Sequence, residues 1–188
     1  MGLMRKAVGP LLVASALLGT SVSSQGNGQG TVSASATIAG CTDASITGQA
    51  TLVERPSEEG VKLVDVSIVV RGLPPGDHAV HIHEVGACTP CAAAGGHFDP
   101  GPAGLSSPDG NHPFHSGDLV NLAVNGSGAG VLHTTTSRIT LSAGPLSVFD
   151  ANGSAVVVHV AHDTYCPDGP TPGCAGGARQ ACGILQLD

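Results

Sequence analysis

The sequence predicts an all-β protein, an antiparallel barrel or sandwich of eight strands with two long loops. Its 188 residues include 28 glycines and 13 prolines, a proportion that favours strands and turns over helices. Aromatic residues make up only 2% of the chain and tryptophan is absent, so the core must consist of Val, Leu, Ile and Ala. Short Val- and Thr-rich runs bounded by turn-forming residues are typical of an all-β domain.

The predicted strands are short stretches in which apolar and polar residues alternate, as on a strand with one buried face. They cover residues 31–39, 45–54, 61–70, 79–83, 119–125, 130–136, 155–161 and 183–187, with 138–141 as a further short strand. Asn125 and Gly126 form the turn of a predicted hairpin. Residues 84–117 and 163–181 lack periodicity, and we expect two long loops there, each functional or tethered.

Residues 1–24 have the order of a secretory signal peptide: Arg5 and Lys6, an apolar run from Val8 to Leu18, then small residues. The apolar run is too short to span a bilayer as a permanent helix. Residues 25–30 are a Gly, Gln and Ser linker, which leaves 31–188 as one folded domain. We therefore expect an exported protein, periplasmic or extracellular, without membrane attachment after cleavage.

The charge of the chain excludes some partners. Without Arg5 and Lys6, five basic residues stand against 14 acidic ones, a formal charge of −9. Polyanions bind through clusters of Lys and Arg, which this chain lacks. Nucleic acid and anionic membranes are therefore not expected partners.

The cysteines predict disulfides. All six lie after the predicted signal peptide, at Cys41, Cys88, Cys91, Cys166, Cys174 and Cys182. An even number in an exported chain indicates three disulfides, but six cysteines allow about 15 pairings. The spacing CxxC from Cys88 to Cys91 also occurs in redox and zinc sites. Export favours a structural role for it.

Six of the nine histidines lie between Gly76 and Asp118, a density that neither a core nor a solvated surface requires. The segment AVHIH reads as a strand, and His81 and His83 would then project from the same face, about 6 to 7 Å apart. Two imidazoles so placed can share a metal ion, and an imidazole-rich site suits copper or zinc. A packed or solvated side chain suffices to explain His133.

The motifs around these histidines resemble those of the copper–zinc superoxide dismutase family, in the family's order and near its spacing. HAVHIHE resembles the segment with the first two copper ligands, at His81 and His83. GGHFDP resembles GPHFNP, which places the metal-bridging histidine at His97. HSGDL resembles the zinc segment HxGDL, giving His115 and Asp118 as zinc ligands together with His97.

Two further motifs extend the resemblance to residues 31–188. VVVHVAHD resembles the segment with the last copper ligand, at His159, and the aspartate that bonds to metal ligands, at Asp163. GGARQACGI resembles GSRLACG, giving Arg179 and the disulfide cysteine Cys182. The resemblance implies Cys91 as the partner of Cys182. It also implies a Greek-key barrel.

The resemblance implies an enzyme that converts superoxide to oxygen and hydrogen peroxide by Cu(II)/Cu(I) cycling. Four imidazoles, from His81, His83, His97 and His159, suit copper in both oxidation states. His97 would bridge copper and zinc and take up a proton when copper is reduced. Asp163 would orient ligands of both metals, and Arg179 would attract the superoxide anion.

The zinc site departs from the family pattern. Leu105 and Ser106 occupy the positions where the second zinc histidine normally stands, and Leu cannot bind zinc. His112, three residues before His115, is either a substitute ligand or a solvated loop residue. Without His112 the set His97, His115 and Asp118 would be weak, and a copper-only enzyme would result.

The second long loop also departs from the family. It is shorter, lacks a lysine and contains Cys166 and Cys174, which can bridge each other; Cys41 and Cys88 would then pair by elimination. An alternative function follows from these departures, a dismutase-like domain that binds or delivers copper without fast catalysis. The sequence leaves both a monomer and a homodimer open.

Overall fold

The computed structural model describes residues 1–2, 31–100, 115–167 and 171–188. The linker at 25–30 and all but two residues of the predicted signal peptide lie outside the described residues. The strands are β1 (Val32–Gly40), β2 (Thr47–Pro56), β3 (Lys62–Arg71), β4 (Gly76–His78), β5 (Val80–His83), β6 (Leu122–Val124), β7 (Ala129–Thr136), β8 (Ala155–His159), β9 (Arg179–Ile184) and β10 (Gln186–Leu187). One turn of 3-10 helix covers Cys91–Ala94.

All pairs between these strands are antiparallel, and their order is β4-β6-β7-β3-β2-β1-β9-β8-β5, with β10 beside β1. The order β4-β6-β7-β3 is a Greek key, because β3 precedes these strands in the chain but lies beside the last of them. Only Ala79 separates β4 from β5, so the chain itself joins the two ends of the sheet. The sheet is thereby nearly closed into a barrel.

The prediction of an all-β antiparallel barrel is confirmed. Ten strands correspond to eight stretches of chain, because single residues, Ala79 and Leu185, divide β4 from β5 and β9 from β10. The predicted strand at 138–141 is wrong: of its residues only Thr140 makes a bridge, to Ser147. Among the described residues, no helix has the length and apolar character needed to cross a bilayer.

Alternation along the strands builds the barrel core from small aliphatic side chains. On β3, for example, Val64, Val66, Ile68 and Val70 are at most 2% exposed, whereas Val69 faces outward and is 41% exposed. On β5, Val80 and Ile82 join this core. The other face of β5 is therefore left for histidines.

A second apolar cluster lies outside the barrel, where Ala155 and Val157 of β8 pack against Ala94 and two disulfides. These disulfides join Cys41 to Cys91 and Cys88 to Cys182. They close segments of 50 and 94 residues. By reducing the conformational entropy of the unfolded chain, each should stabilise the fold by about 4 to 5 kcal/mol. The cluster attaches the loop after β5 to the barrel.

The implied pairing of Cys91 with Cys182, and that of Cys41 with Cys88, is therefore wrong. Cys88 and Cys91 belong to one tight turn, so sequence spacing does not distinguish them. Cys91 begins the 3-10 helix and bonds to Cys41 just after β1, whereas Cys88 reaches Cys182 on β9. The predicted bond between Cys166 and Cys174 is confirmed.

Candidate metal centre

Strand β5 presents two histidines on its outer face. His81 lies opposite Val157 of β8, and His83 makes a bridge with His97 in the loop that follows. The loop pairs with the free edge of β5, since the Phe98 N–H donates to the Ile82 carbonyl and the Ile82 N–H donates to the Gly117 carbonyl, each over 2.8 Å. His81 and His83 are fully buried although they point away from the barrel core.

His159 completes the group from the end of β8, where the pairing with β9 is irregular between Val158 and His159. One ligand atom from each of the four predicted copper histidines lies within 4.8 Å of the others. All four side chains are buried. Three segments far apart in sequence thus bring His81, His83, His97 and His159 together.

Backbone carbonyls define the protonation of two of these rings. His83 donates from Nδ1 to the Gly95 carbonyl over 3.0 Å, and His159 donates from Nδ1 to the Gly177 carbonyl over 2.8 Å. A carbonyl can only accept, so both protons are on Nδ1 and each neutral ring keeps a lone pair on Nε2. The two Nε2 atoms lie 3.4 Å apart. Two lone pairs at this distance suit a cation placed between them.

The same surroundings keep these rings neutral. Burial, and to a smaller degree the charge of His97, holds the pKa of His83 well below its usual value. Burial lowers the pKa of His159 to about 4, although its hydrogen bond to Gly177 opposes the shift. Neutral imidazole is the form that binds metals. The donor set therefore fits a copper ion.

A second group shares His97. The Nδ1 atom of His97 lies 2.7 Å from Asp118 Oδ1 and 3.2 Å from His115 Nδ1, which leaves the Nε2 atom of His97 for the four-histidine group. The three side chains are at most 2% exposed, and their ligand atoms lie within 4.8 Å of one another. Burial raises the pKa of Asp118, but hydrogen bonds with His115 and His97 outweigh it and hold the pKa below its usual range. A carboxylate with two imidazoles is a donor set that zinc accepts.

Three residues on which the zinc prediction depended lie outside the described residues. They are His112, the candidate substitute ligand, and Leu105 and Ser106, which stand where the family has a histidine. The described part of the zinc group is therefore His97, His115 and Asp118.

Asp163 lies behind the four-histidine group, 2% exposed. Its Oδ2 accepts from His81 Nε2 over 2.9 Å, which directs His81 Nδ1 toward the other histidines. The Asn121 side chain makes two hydrogen bonds to the backbone of Asp163: it accepts from the N–H over 2.8 Å and donates to the carbonyl over 2.9 Å. Asp163 therefore fixes the orientation of a ring that faces the metal position.

Arg179 begins β9 and is not part of the long loop, contrary to the prediction. Its guanidinium donates to the Cys91 carbonyl over 2.7 Å and to the Gly95 carbonyl. It is half-buried at a cavity of about 240 Å³ lined by His83, His97, His159, Gly173, Ala175, Gly177 and Arg179. The cavity connects a fixed positive charge with three of the four histidines.

Sequence reasoning missed several supporting groups. None of the sequence motifs indicates a role for His78, yet its buried ring lies 2.8 Å from the carbonyls of both His159 and Pro74. Glu84, next to His83, accepts from the Gly96 N–H over 2.8 Å. Each acts on the backbone next to a metal-facing ring. Only their proximity to the histidine motifs could have indicated them.

Fold and site together define a class of protein: a Greek-key barrel with two adjoining metal-binding groups that share one histidine. Residues 46–185 match the family model described as copper/zinc superoxide dismutase. The chain belongs to this family.

Named relatives agree with the family match. The chain is 37% identical over 155 residues to a superoxide dismutase [Cu-Zn] of Deinococcus radiodurans, which covers 75% of this chain and 78% of the relative. It is 34% identical over 146 residues to superoxide dismutase [Cu-Zn] 2 of Salmonella typhimurium, covering 72% and 78%. A superoxide dismutase [Cu-Zn] of Escherichia coli K12 is also 34% identical, over 135 residues that cover 66% of this chain and 73% of the relative.

Proposed function

We propose that the protein is a superoxide dismutase that binds copper through His81, His83, His97 and His159. One observation carries the proposal above the others. In His81, His83 and His159 one ring nitrogen is hydrogen-bonded to Asp163 or to a backbone carbonyl. The other nitrogen of each ring faces the same position. Membership in the copper/zinc superoxide dismutase family supports the same assignment.

Copper held by these four histidines would supply one-electron redox chemistry, by which two superoxide anions and two protons would give oxygen and hydrogen peroxide. The chain's own residues make this possible by holding four imidazoles in a buried position. His97 faces both groups, and it is placed to hold a proton at Nε2 in one half of the cycle and to release it in the other. His97 therefore acts as a catalytic proton carrier.

Zinc is the second cofactor in this proposal, held by His97, His115 and Asp118. Contact with the charged Asp118 keeps His97 Nδ1 directed away from the copper position. The His115 N–H also donates to Asp118 Oδ2 over 3.1 Å, which ties the carboxylate to the loop. These three residues thus orient the shared ring.

Arg179 is the residue that would dock the substrate. Superoxide is a small anion, and the guanidinium lies at the cavity that reaches His83, His97 and His159. Two backbone carbonyls hold it there, so its charge is fixed before the anion arrives. In a chain of formal charge −7, such a local positive charge is needed to attract an anion.

We further propose that the protein is exported, with residues 1–24 as signal peptide, 25–30 as linker and 31–188 as the dismutase domain. The three disulfides support this, because disulfides persist in oxidising compartments. Mass spectrometry of the mature protein tests the proposal. A mature chain that begins near residue 25 supports it, and a retained residue 1 contradicts it.

Pulse radiolysis of oxidised, copper-loaded protein tests the dismutase proposal directly, with and without added zinc. We expect superoxide to decay with a second-order rate constant on the order of 10⁹ per molar per second. A rate unchanged by zinc would identify a copper-only enzyme. Tight copper binding with decay no faster than in buffer would contradict dismutation and leave copper storage or delivery as the function.

A further inference from the structure

A narrow antiparallel ladder extends from β8 and β9 beyond the metal centre. The backbone N–H groups of Val160, Ala161 and Thr164 donate to the carbonyls of Ala178, Gly176 and Cys174, over 2.9, 3.1 and 2.9 Å. The disulfide between Cys166 and Cys174 closes the far end of this ladder. Both cysteines are buried, at 5% and 8% exposure.

Each side of the ladder makes a hydrogen bond to one copper-facing histidine, at the ring nitrogen that points away from the copper position. The Asp163 carboxylate bonds to His81 on one side, and the Gly177 carbonyl accepts from His159 on the other. Gly176, with φ of 88°, allows this close approach, because an added Cβ would lie 2.8 Å from His159 Cβ. The spacing of the two sides therefore sets the orientation of two of the four rings.

A residue at the disulfide end of the ladder makes a hydrogen bond to Oδ1 of Asp163, the carboxylate oxygen that does not contact His81. The Tyr165 N–H donates to Asp163 Oδ1 over 2.7 Å. Tyr165 and Cys166 have φ values of 58° and 44°, in the left-handed region that residues other than glycine rarely adopt. Such a conformation persists only where the surroundings enforce it. The disulfide and the Thr164 hydroxyl, which accepts from the Cys166 N–H over 3.3 Å, are two constraints on this conformation.

We propose that the Cys166–Cys174 disulfide positions the copper ligands. It holds Tyr165 in the left-handed conformation, the Tyr165 N–H then fixes the Asp163 carboxylate, and Asp163 orients His81. This inference rests on the copper site proposed above. It assigns a function to the two cysteines of the second long loop, for which the family motifs provided none.

Copper binding of a Cys166→Ser/Cys174→Ser double variant tests the inference. We expect the Cu(II) dissociation constant, measured by competition with a chelator, to rise about tenfold, as for other losses of support behind a metal ligand. The Cu(II) electron paramagnetic resonance spectrum should change as well, because a ligand ring is reoriented. Val160→Ser changes an exposed side chain on the same ladder and should leave both unchanged. An unaltered spectrum and affinity in the double variant would overturn the proposal.

Hydrogen exchange of the metal-free proteins separates positioning from general stability. Without the disulfide, the Tyr165 amide should exchange at least about 100-fold faster, because its local structure opens, while Val66 in the barrel should exchange as before. Equal acceleration at Val66 would show that the disulfide only stabilises the whole fold, and the proposal would be wrong. This test also applies if the wild-type protein binds no copper, an outcome that would contradict the proposed function alone.

Adding Tyr165→Gly to the double variant tests the route through Tyr165. Glycine adopts positive φ without steric cost, so the substitution should restore copper affinity about fivefold. No recovery would show that the disulfide does not act through the conformation of Tyr165, and would overturn the proposal.

Discussion

The Nε2 atoms of His83 and His159 lie 3.4 Å apart, and neither carries a hydrogen atom because both rings donate from Nδ1. Two buried lone pairs facing each other stabilise nothing by themselves. They become favourable when a cation binds between them. The protein thus holds the two nitrogen atoms that we propose as copper ligands in place by hydrogen bonds to backbone carbonyls.

Burial of these neutral rings should make the metal-free protein sensitive to acid. The pKa of His159 falls from 6.5 to about 4 on folding, so the unfolded chain binds the proton more tightly. We expect stability to be complete above pH 6.5 and to decline by about 2 to 3 kcal/mol as the pH falls to 4. Urea unfolding across this range measures the decline. His159→Asn should flatten the dependence of the unfolding free energy on pH, whereas His133→Asn on the surface should leave it unchanged. Equal pH dependence in the two variants would contradict this role of His159.

Arg179 should control the rate of superoxide capture. We expect Arg179→Ala to slow superoxide decay about tenfold at low ionic strength, since steering by a fixed charge is lost. The difference should shrink as salt screens the charge. Arg55→Ala removes the same charge from an ion pair with Asp65 on the outer barrel surface and is the matched control. Equal rates for the two variants would exclude a docking role for Arg179.

Glu54 should stabilise the barrel above pH 4.5. Burial raises its pKa, but hydrogen bonds from Ser142 and Leu141 and the Lys62 ammonium outweigh this and lower the pKa to about 2. The stabilisation is therefore present above pH 4.5 and lost as the pH falls toward 2. Glu54→Gln should cost about 1 to 3 kcal/mol in urea unfolding at pH 7 and much less at pH 2. The exposed Glu58→Gln should cost almost nothing, and a pH-independent cost at Glu54 would contradict the assignment.

The disulfide pairing can be checked by alkylating the thiol that a single substitution leaves. Cys41→Ser should free Cys91, so that a thiol reagent added in denaturant without reductant labels Cys91 alone. Cys166→Ser, the control in the second loop, should free Cys174. Label on Cys88 in the Cys41 variant would instead support the pairing of Cys41 with Cys88 and of Cys91 with Cys182, and label on Cys182 would contradict both pairings.

The barrel could be predicted because its signals are local. Alternation on β5 separates His81 and His83 from Val80 and Ile82, and that pattern is visible in five consecutive letters. His97 and His159 were found through family motifs, since nothing in their spacing shows that they meet. Their meeting depends on strand register and on the loop that pairs with the edge of β5.

The supporting contacts could not be predicted because most of them involve backbone atoms. The Gly95 and Gly177 carbonyls accept hydrogen bonds from His83 and His159. Every residue has a backbone carbonyl, so the residue type does not indicate which carbonyls accept these bonds. The cysteine pairing was wrong for a related reason. Cys88 and Cys91 lie in one turn, and the direction in which each Sγ points depends on the 3-10 helix that starts at Cys91.

The copper affinity of His159→Ala beside that of His133→Ala tests the central claim, that four histidines form the metal site. His133 is an exposed histidine on β7 and lies in neither metal-binding group. We expect chelator competition to give at least about 100-fold weaker Cu(II) binding for His159→Ala and wild-type binding for His133→Ala. Wild-type affinity in His159→Ala would contradict it.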